Sequence, residues 1–274
     1  MKKGRLVLYV IFVLSILWVL SLPAFGAQHL VIPIPGEVPN VVGVAVGVAP
    51  DYEGSDDYTF GVLPAINLQF ENRYIRLLGN WLGVNILNHE IFEFGPVASY
   101  RFGRDNDIDD DVVKKMHEVD DSFELGAFVG FTIRNEANPR IRYGADLEFL
   151  HDVSDGHDGY TVELSARGWY PVSKSIDLGL VGGATYADGN YMSSNFGVTP
   201  QDSALSGLQT FRAGSGLKDL YIQPSIMIHF STSWHLGAGV RFTSLLSDAD
   251  DSPIVDIRGS STQVITGVGI VYSW

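Results

Sequence analysis

Three groups of residues in this chain have types and spacings that could carry chemistry. The first is acidic: Asp51, Glu53, Asp56 and Asp57 fall within one short stretch, and carboxylate oxygens so spaced suit a hard divalent cation. The second, Asp105-Asn106-Asp107-Ile108-Asp109-Asp110-Asp111, has the acid density of a calcium loop. It lacks the glycine at position six and the bidentate glutamate at position twelve that such a loop needs. The third is a pair of His-Asp steps, His151-Asp152 and His157-Asp158, with Asp155 between them. Neighbours along a strand point to opposite faces, so neither step sets its carboxylate behind its own imidazole for general-base work. No G-x-S-x-G and no H-E-x-x-H motif occurs. The expectation is a protein without a catalytic centre, a metal site or an organic cofactor. The first acidic group reads as a solvated turn, with Tyr52 folding it back, and segment 104–119 reads as a disordered acidic loop.

Composition narrows the class further. Lys2, Lys3 and Arg5 precede an apolar run from Leu6 to Leu20, and Pro23, Ala24, Gly26 and Ala27 follow it. That order is the plan of a secretory signal peptide, and cleavage after Gly26 leaves residues 27–274 as one domain. The formal charge is −14, and losing those three cations takes it to −17. Such a chain repels phosphates and argues against nucleic acid as a partner. There are no cysteines, so neither disulfides nor thiolate metal sites are available. No later segment is apolar for long enough to form a membrane-spanning helix.

The elements that must position these residues are strands. In Ile141–Phe149 the odd positions are Ile, Tyr, Ala, Leu and Phe, and the even ones Arg, Gly, Asp and Glu. Tyr160–Tyr170 and Phe123–Arg134 alternate in the same way. A period of two with charges on one face means that the other face meets something apolar. Aromatics sit near strand ends on the apolar face: Tyr143, Phe149, Tyr160, Tyr170, Tyr186, Trp234, Phe242 and Tyr272. Interfacial girdles of a membrane barrel have that pattern. Strands are expected near 40–49, 57–70, 73–79, 81–88, 91–102, 120–133, 139–151, 159–170, 173–186, 216–230, 233–246 and 262–274. Connections after even strands are short, and those after odd strands are mostly long and hydrophilic, apart from the tight bend at Gly79-Asn80. The fold class is therefore an all-β, antiparallel, up-and-down transmembrane barrel of the outer-membrane type. It has short periplasmic turns, long outer loops and about twelve strands. The alternative is ten, if the hairpin 73–88 does not form.

Alternation also assigns a lumen. Glu93, Glu124, Asp146, Glu148, Glu163 and Asp177 face Arg101, Arg134, Arg142, Arg167 and Arg241. A nearly balanced interior reads as a cross-strand ion-pair lattice that fills a small barrel, in preference to a narrow pore lined by rings of charge. The 187–215 loop is long enough, and rich enough in Gly and Ser, to fold into the outer mouth.

Specific segments then resemble a known family. Val46–Tyr58 contains Asp51-Tyr52-Glu53-Gly54-Ser55 and is similar to the first strand and first loop of the MltA-interacting protein / outer membrane protein V family. Ser194–Pro200, with Asn195-Phe196-Gly197-Val198, is similar to that family's long loop, as are Ser206-Gly207-Leu208 and Ala213–Asp219. Leu245–Val255, carrying Asp248, Asp251, Ser252 and Pro253, resembles a third family segment. The resemblance implies residence in the outer membrane after Sec-type export, in contact with its lipid and lipopolysaccharide. It also implies that the barrel-assembly machinery reads the terminal aromatic strand ending at Trp274. For function it implies a scaffold that brings a lytic murein transglycosylase together with a murein synthase. A small-solute channel or a surface adhesin is the alternative, and an outer-membrane hydrolase is a more distant one.

Overall fold

A computed structural model of the chain describes residues 40–274. The expected signal peptide, 1–26, and the lead to residue 39 lie outside the described residues. Twelve antiparallel strands close into a barrel in which each strand pairs with its neighbours in sequence and β1 closes onto β12. The strands are β1 (Val41–Pro50), β2 (Tyr58–Phe70), β3 (Arg73–Leu78), β4 (Trp81–Asn85), β5 (Phe92–Arg101), β6 (Ser122–Arg134), β7 (Arg142–Asp152), β8 (Tyr160–Pro171), β9 (Ile176–Ala187), β10 (Gly216–His229), β11 (Trp234–Leu245) and β12 (Thr262–Ser273). The hairpin of β3 and β4 is present, so the alternative of ten strands is excluded. Its bend requires Gly79, whose φ is +59°, a conformation that costs a residue with a Cβ about 1–2 kcal/mol.

The alternation read from sequence becomes an inside and an outside. Val129, Leu147, Leu164 and Ile222 point away from the barrel, with Leu164 58% and Ile222 49% exposed. A continuous apolar belt of this kind is untenable in water, and it matches the lipid-facing band of outer-membrane barrels. Among the described residues no helix is long and apolar enough to cross a membrane, so the crossing falls to strands. Tyr143, Tyr170, Trp234 and Tyr272 ring one end of the belt on the outer face. Tyr272 there packs edge-on against Trp234 at 5.0 Å and stacks on Trp274 at 6.2 Å.

The interior is not uniform. Val41, Ala45, Ala49, Leu63, Ala65, Leu78, Ile265 and Val271 make one wall small and apolar. The wall built from β5 to β10 carries most of the charges. One departure from strict alternation matters for function. The β9–β10 register shifts between Leu217 and Asp219, and both Lys218 and Asp219 end up buried.

Candidate functional site

The site is the lumen together with the structure that closes its outer end. Three short helices lie in the outer loops: α1 (Gly189–Phe196), α2 (Pro200–Ser206) and α3 (Pro253–Asp256). Their starts are written in the sequence. Asp188 accepts a hydrogen bond from the Tyr191 amide at 3.1 Å. Thr199 and Asp202 form a reciprocal capping box with Pro200 in the first turn, which satisfies two otherwise orphaned donors. The Ser252 hydroxyl caps α3 through the Ile254 amide and also donates to the Phe196 carbonyl at 2.6 Å.

These helices carry a hydrophobic core of their own. Tyr191, Met192 and Phe196 pack with Leu245, Ala249 and Val255. Tyr52, Ile108, Val113, Met116, Val198, Leu208 and Ile254 form a second, adjoining cluster. Tyr191, Met192, Phe196 and Ile254 are each 0% exposed, so the loops form a packed cap. The 104–119 segment, expected to be disordered, is part of it. Ile108, Val113 and Met116 supply apolar anchors that its acid count conceals. Asp110 pairs with Arg258 at 2.7 Å, and Arg104 donates to the Asn195 carbonyl at 2.9 Å.

Electrostatics tightens the cap. Burial alone would raise the Asp202 carboxyl. Hydrogen bonds from the Thr199 hydroxyl, the His117 and Thr199 amides and the His117 ring instead hold it down at about 2. Burial also opposes ionisation of Asp110, yet the Val113 amide and the Arg258 guanidinium leave it below the usual carboxylate range. Burial drives the Tyr191 phenol above its ordinary value, so it stays a neutral hydroxyl.

Beneath the cap a buried polar network joins it to the barrel wall. Arg101 grips Glu124 through Nε at 2.9 Å and Nη2 at 3.2 Å, and it donates from Nη1 to the Tyr191 hydroxyl at 2.9 Å. That hydroxyl donates to Glu53 at 2.7 Å. Lys218 reaches Glu53 and also Asp219, the latter at 2.9 Å. His157 Nδ1 accepts from the Gly159 amide, which leaves Nε2–H to donate to Glu124 at 3.1 Å. Buried charges paired and hydrogen-bonded in this way make removal of one partner costly.

The middle of the lumen holds a cavity of about 140 Å³, lined by Tyr74, Phe128, Glu163, Arg167, Tyr221 and neighbouring side chains. The Tyr74 hydroxyl donates to Glu93 at 2.8 Å and the Thr132 hydroxyl to the same carboxylate at 2.7 Å. Arg167 spans from Asp146 to Glu93. Arg241 lies over the Tyr221 ring at 3.5 Å, Arg142 over Trp169 at 5.0 Å and Arg76 over Tyr74 at 4.2 Å. Towards the end that holds the terminus of β12, Asp177 pairs with Arg140 at 2.6 Å and with His229 at 2.9 Å.

A family profile described as MltA-interacting protein MipA matches residues 42–274. The chain belongs to the MipA family. No curated protein sequence matches it. Among solved structures, the NanC porin is similar in fold, with a TM-score of 0.51 at 8% identity, covering 85% of this chain and 100% of that one. The KdgM porin gives 0.43 at 10% identity, covering 85% and 99%. An outer-membrane channel of Pseudomonas putida F1 gives 0.43 at 12% identity, covering 90% and 99%.

The segments that carried the MipA resemblance meet in the cap. Tyr52 enters its core and Glu53 its ion network. The Gly54 amide donates to the Gln263 side chain at 3.1 Å, and Ser55 bridges to Gly259. Asn195 supplies the carbonyl for Arg104, while Phe196, Gly197 and Val198 end α1 and start a bridge to Phe211. The Ser206 hydroxyl donates to the Asp202 carbonyl, and Gly207 closes α2 at φ +80°. Asp248 accepts from the Gly214 amide at 2.6 Å. The Asp251 amide donates to the Ser247 carbonyl, and Ser252 and Pro253 open α3. In the MipA cap these residues are architecture.

Of the lumen residues named from alternation, Arg101 meets Glu124, and Arg167 meets Asp146 and Glu93. Arg142 lies over the Trp169 ring and Arg241 over the Tyr221 ring, since Trp169 and Tyr221 share their inward face. Glu148 accepts from the Trp81 indole at 2.8 Å and Glu163 from the Tyr221 hydroxyl at 2.6 Å. Arg134 is exposed at the end of the barrel opposite the cap. The acidic candidates converge only in part: Asp51 accepts from the Asp109 amide at 3.1 Å. Among the described residues no group of three or more potential ligands is placed to hold a metal ion. His151 points outward and Asp152 inward, so the His-Asp step is split between two faces.

Proposed function

We propose that this MipA-family barrel sits in the outer membrane as a closed, periplasm-facing anchor for murein-processing enzymes, with a lytic transglycosylase of the MltA type as first partner. The observation that carries this reading is the cap. A mouth sealed by four completely buried side chains and tied down by the Arg101–Tyr191 hydrogen bond and the Lys218–Glu53 pair suits a protein that holds partners at its other rim. It does not suit one that passes solutes. Trp274 at the end of β12 is the residue we expect the assembly machinery to read.

The test is binding of the refolded barrel to a purified murein transglycosylase and a bifunctional murein synthase. Binding to either should persist when the cap is loosened by Phe196→Ala, since the docking surface lies at the opposite rim. Absence of binding to both contradicts the scaffold. A second reading, a small-solute channel, is favoured by the mid-lumen cavity of about 140 Å³. It requires the cap to move.

A further inference from the structure

Arg104 opens a segment dominated by acids, Asp105 to Asp111, yet none of those acids pairs with it. Its main chain is fixed by hydrogen bonds to Val119 in both directions, each 2.8 Å, and the residue is 4% exposed. Nη1 donates to the Asn195 carbonyl at 2.9 Å. Nε and Nη2 are buried and have no hydrogen-bond partner among the described residues. No carboxylate of the described residues lies within ion-pair distance of this guanidinium. The acids of the same cap are committed elsewhere: Asp110 to Arg258 at 2.7 Å, Asp202 to His117 at 2.8 Å, and Glu53 to Lys218. The Tyr52 ring lies beside Arg104, its centroid 5.7 Å from Cζ. The Tyr52 hydroxyl is itself buried without a partner among the described residues.

A guanidinium stays ionised at any ordinary pH and offers five N–H donors and no acceptor. An isolated charge is among the costliest groups to bury, and the Tyr52 ring face offsets only part of that cost. Orphaned buried donors call for a water molecule or an ion. Water would satisfy the N–H groups and leave the charge uncompensated, whereas an anion does both. The surroundings restrict its class. Tyr52 packs in a cluster with Ile108, Val113, Met116 and Ile254, and apolar neighbours penalise a doubly charged, strongly hydrated oxyanion more than a singly charged one. A close-packed interior takes an ion of about the size of water and excludes an organic one. Chloride meets these conditions. Its position would matter mechanically, because Tyr52 belongs to the first outer loop, Arg104 to the 104–119 segment and Asn195 to α1.

We propose that the Arg104 guanidinium and the Tyr52 hydroxyl bind a chloride ion inside the cap, and that this ion locks the outer loops together. The site concerns the cap and is independent of whether murein enzymes dock at the opposite rim. Hydrogen–deuterium exchange of the refolded, detergent-solubilised mature barrel tests it, with sodium chloride, bromide and gluconate exchanged for one another at constant ionic strength. The reporters are the Val198 and Phe211 amides, which donate to each other's carbonyls at 2.9 Å, with Val129 in β6 as reference. An ion that binds the closed cap and not the open one stabilises it by mass action. Each tenfold rise in chloride above half-saturation should therefore slow exchange of both reporters about tenfold, with bromide acting alike, gluconate inert and Val129 unchanged. Arg104→Gln should abolish the chloride dependence. Tyr52→Phe keeps the ring and should raise the half-saturating chloride concentration about tenfold, the scale of a lost hydrogen bond to a charged group. A heat-dependent shift in gel mobility verifies that the barrel of each variant is folded. Wild-type exchange that is the same in chloride and gluconate would overturn the site, as would full chloride dependence retained by folded Arg104→Gln. An unchanged half-saturation in Tyr52→Phe would overturn the role given to Tyr52.

Discussion

Phe196→Ala separates the cap from the barrel that carries it. Phe196 is fully buried among Tyr191, Met192, Leu245 and Val255, and its carbonyl is held by the Ser252 hydroxyl. Truncating a buried phenylalanine costs about 3–5 kcal/mol through lost transfer energy and the cavity left behind. The strand ladder contains none of those contacts except Leu245, so the cost falls on cap opening and not on the barrel. At 1.36 kcal/mol per decade, the open population rises roughly 10²- to 5 × 10³-fold. Trypsin reports this through cleavage after Arg104, a residue only 4% exposed that a protease reaches when the cap lifts. With cleavage slow relative to reclosing, the rate tracks the open fraction. The heat-dependent gel shift of the barrel should be unchanged. A folded variant cut after Arg104 no faster than the wild type would refute the view that the outer loops are one cooperative, packed unit.

Other perturbations probe the same construction. Lys218→Met leaves Glu53 and Asp219 buried without their shared cation, and should cost about 3–5 kcal/mol, read as a lower urea midpoint together with faster cleavage after Arg104. Gly54→Ala forces a Cβ to within 2.6 Å of Val255 at a φ of +101°, and should destabilise the cap by roughly 1–2 kcal/mol, seen as increased tryptic nicking. Asp202 has a folded pKa of about 2, below its ordinary 3.8. Its contribution is therefore complete above pH ~4 and is lost as pH falls through ~2. Cap opening followed with pepsin should rise across that window in the wild type, and Asp202→Asn should flatten the dependence.

Much of the fold was legible because a barrel writes its geometry at period two. The alternation in Ile141–Phe149 and the parity of loop lengths placed all twelve strands, including the short β3–β4 hairpin with its Gly79 bend. Legibility failed where the period breaks or where tertiary packing decides. The bulge at Leu217/Asp219 turns Lys218 and Asp219 inward together, which strict alternation cannot express. Asp105–Asp111 looked disordered on charge count, yet Ile108, Val113 and Met116 sit at spacings that signal neither strand nor long helix, and only the partner loops give them a core. Tyr191 was missed because a single residue in a loop carries no periodic signal, and His157 was singled out only as half of a His-Asp step, not as a partner for Glu124. One clue was available: the Asp188 and Thr199–Asp202 capping patterns announce short helices in a loop otherwise read as flexible.

The packed cap closes the outer end of this barrel. Single-channel recording of the refolded chain in a planar bilayer, over a range of salt, tests it most directly. Insertion without discrete conductance steps is the result the packed cap predicts. Reproducible steps that scale with salt in the wild-type protein would contradict it.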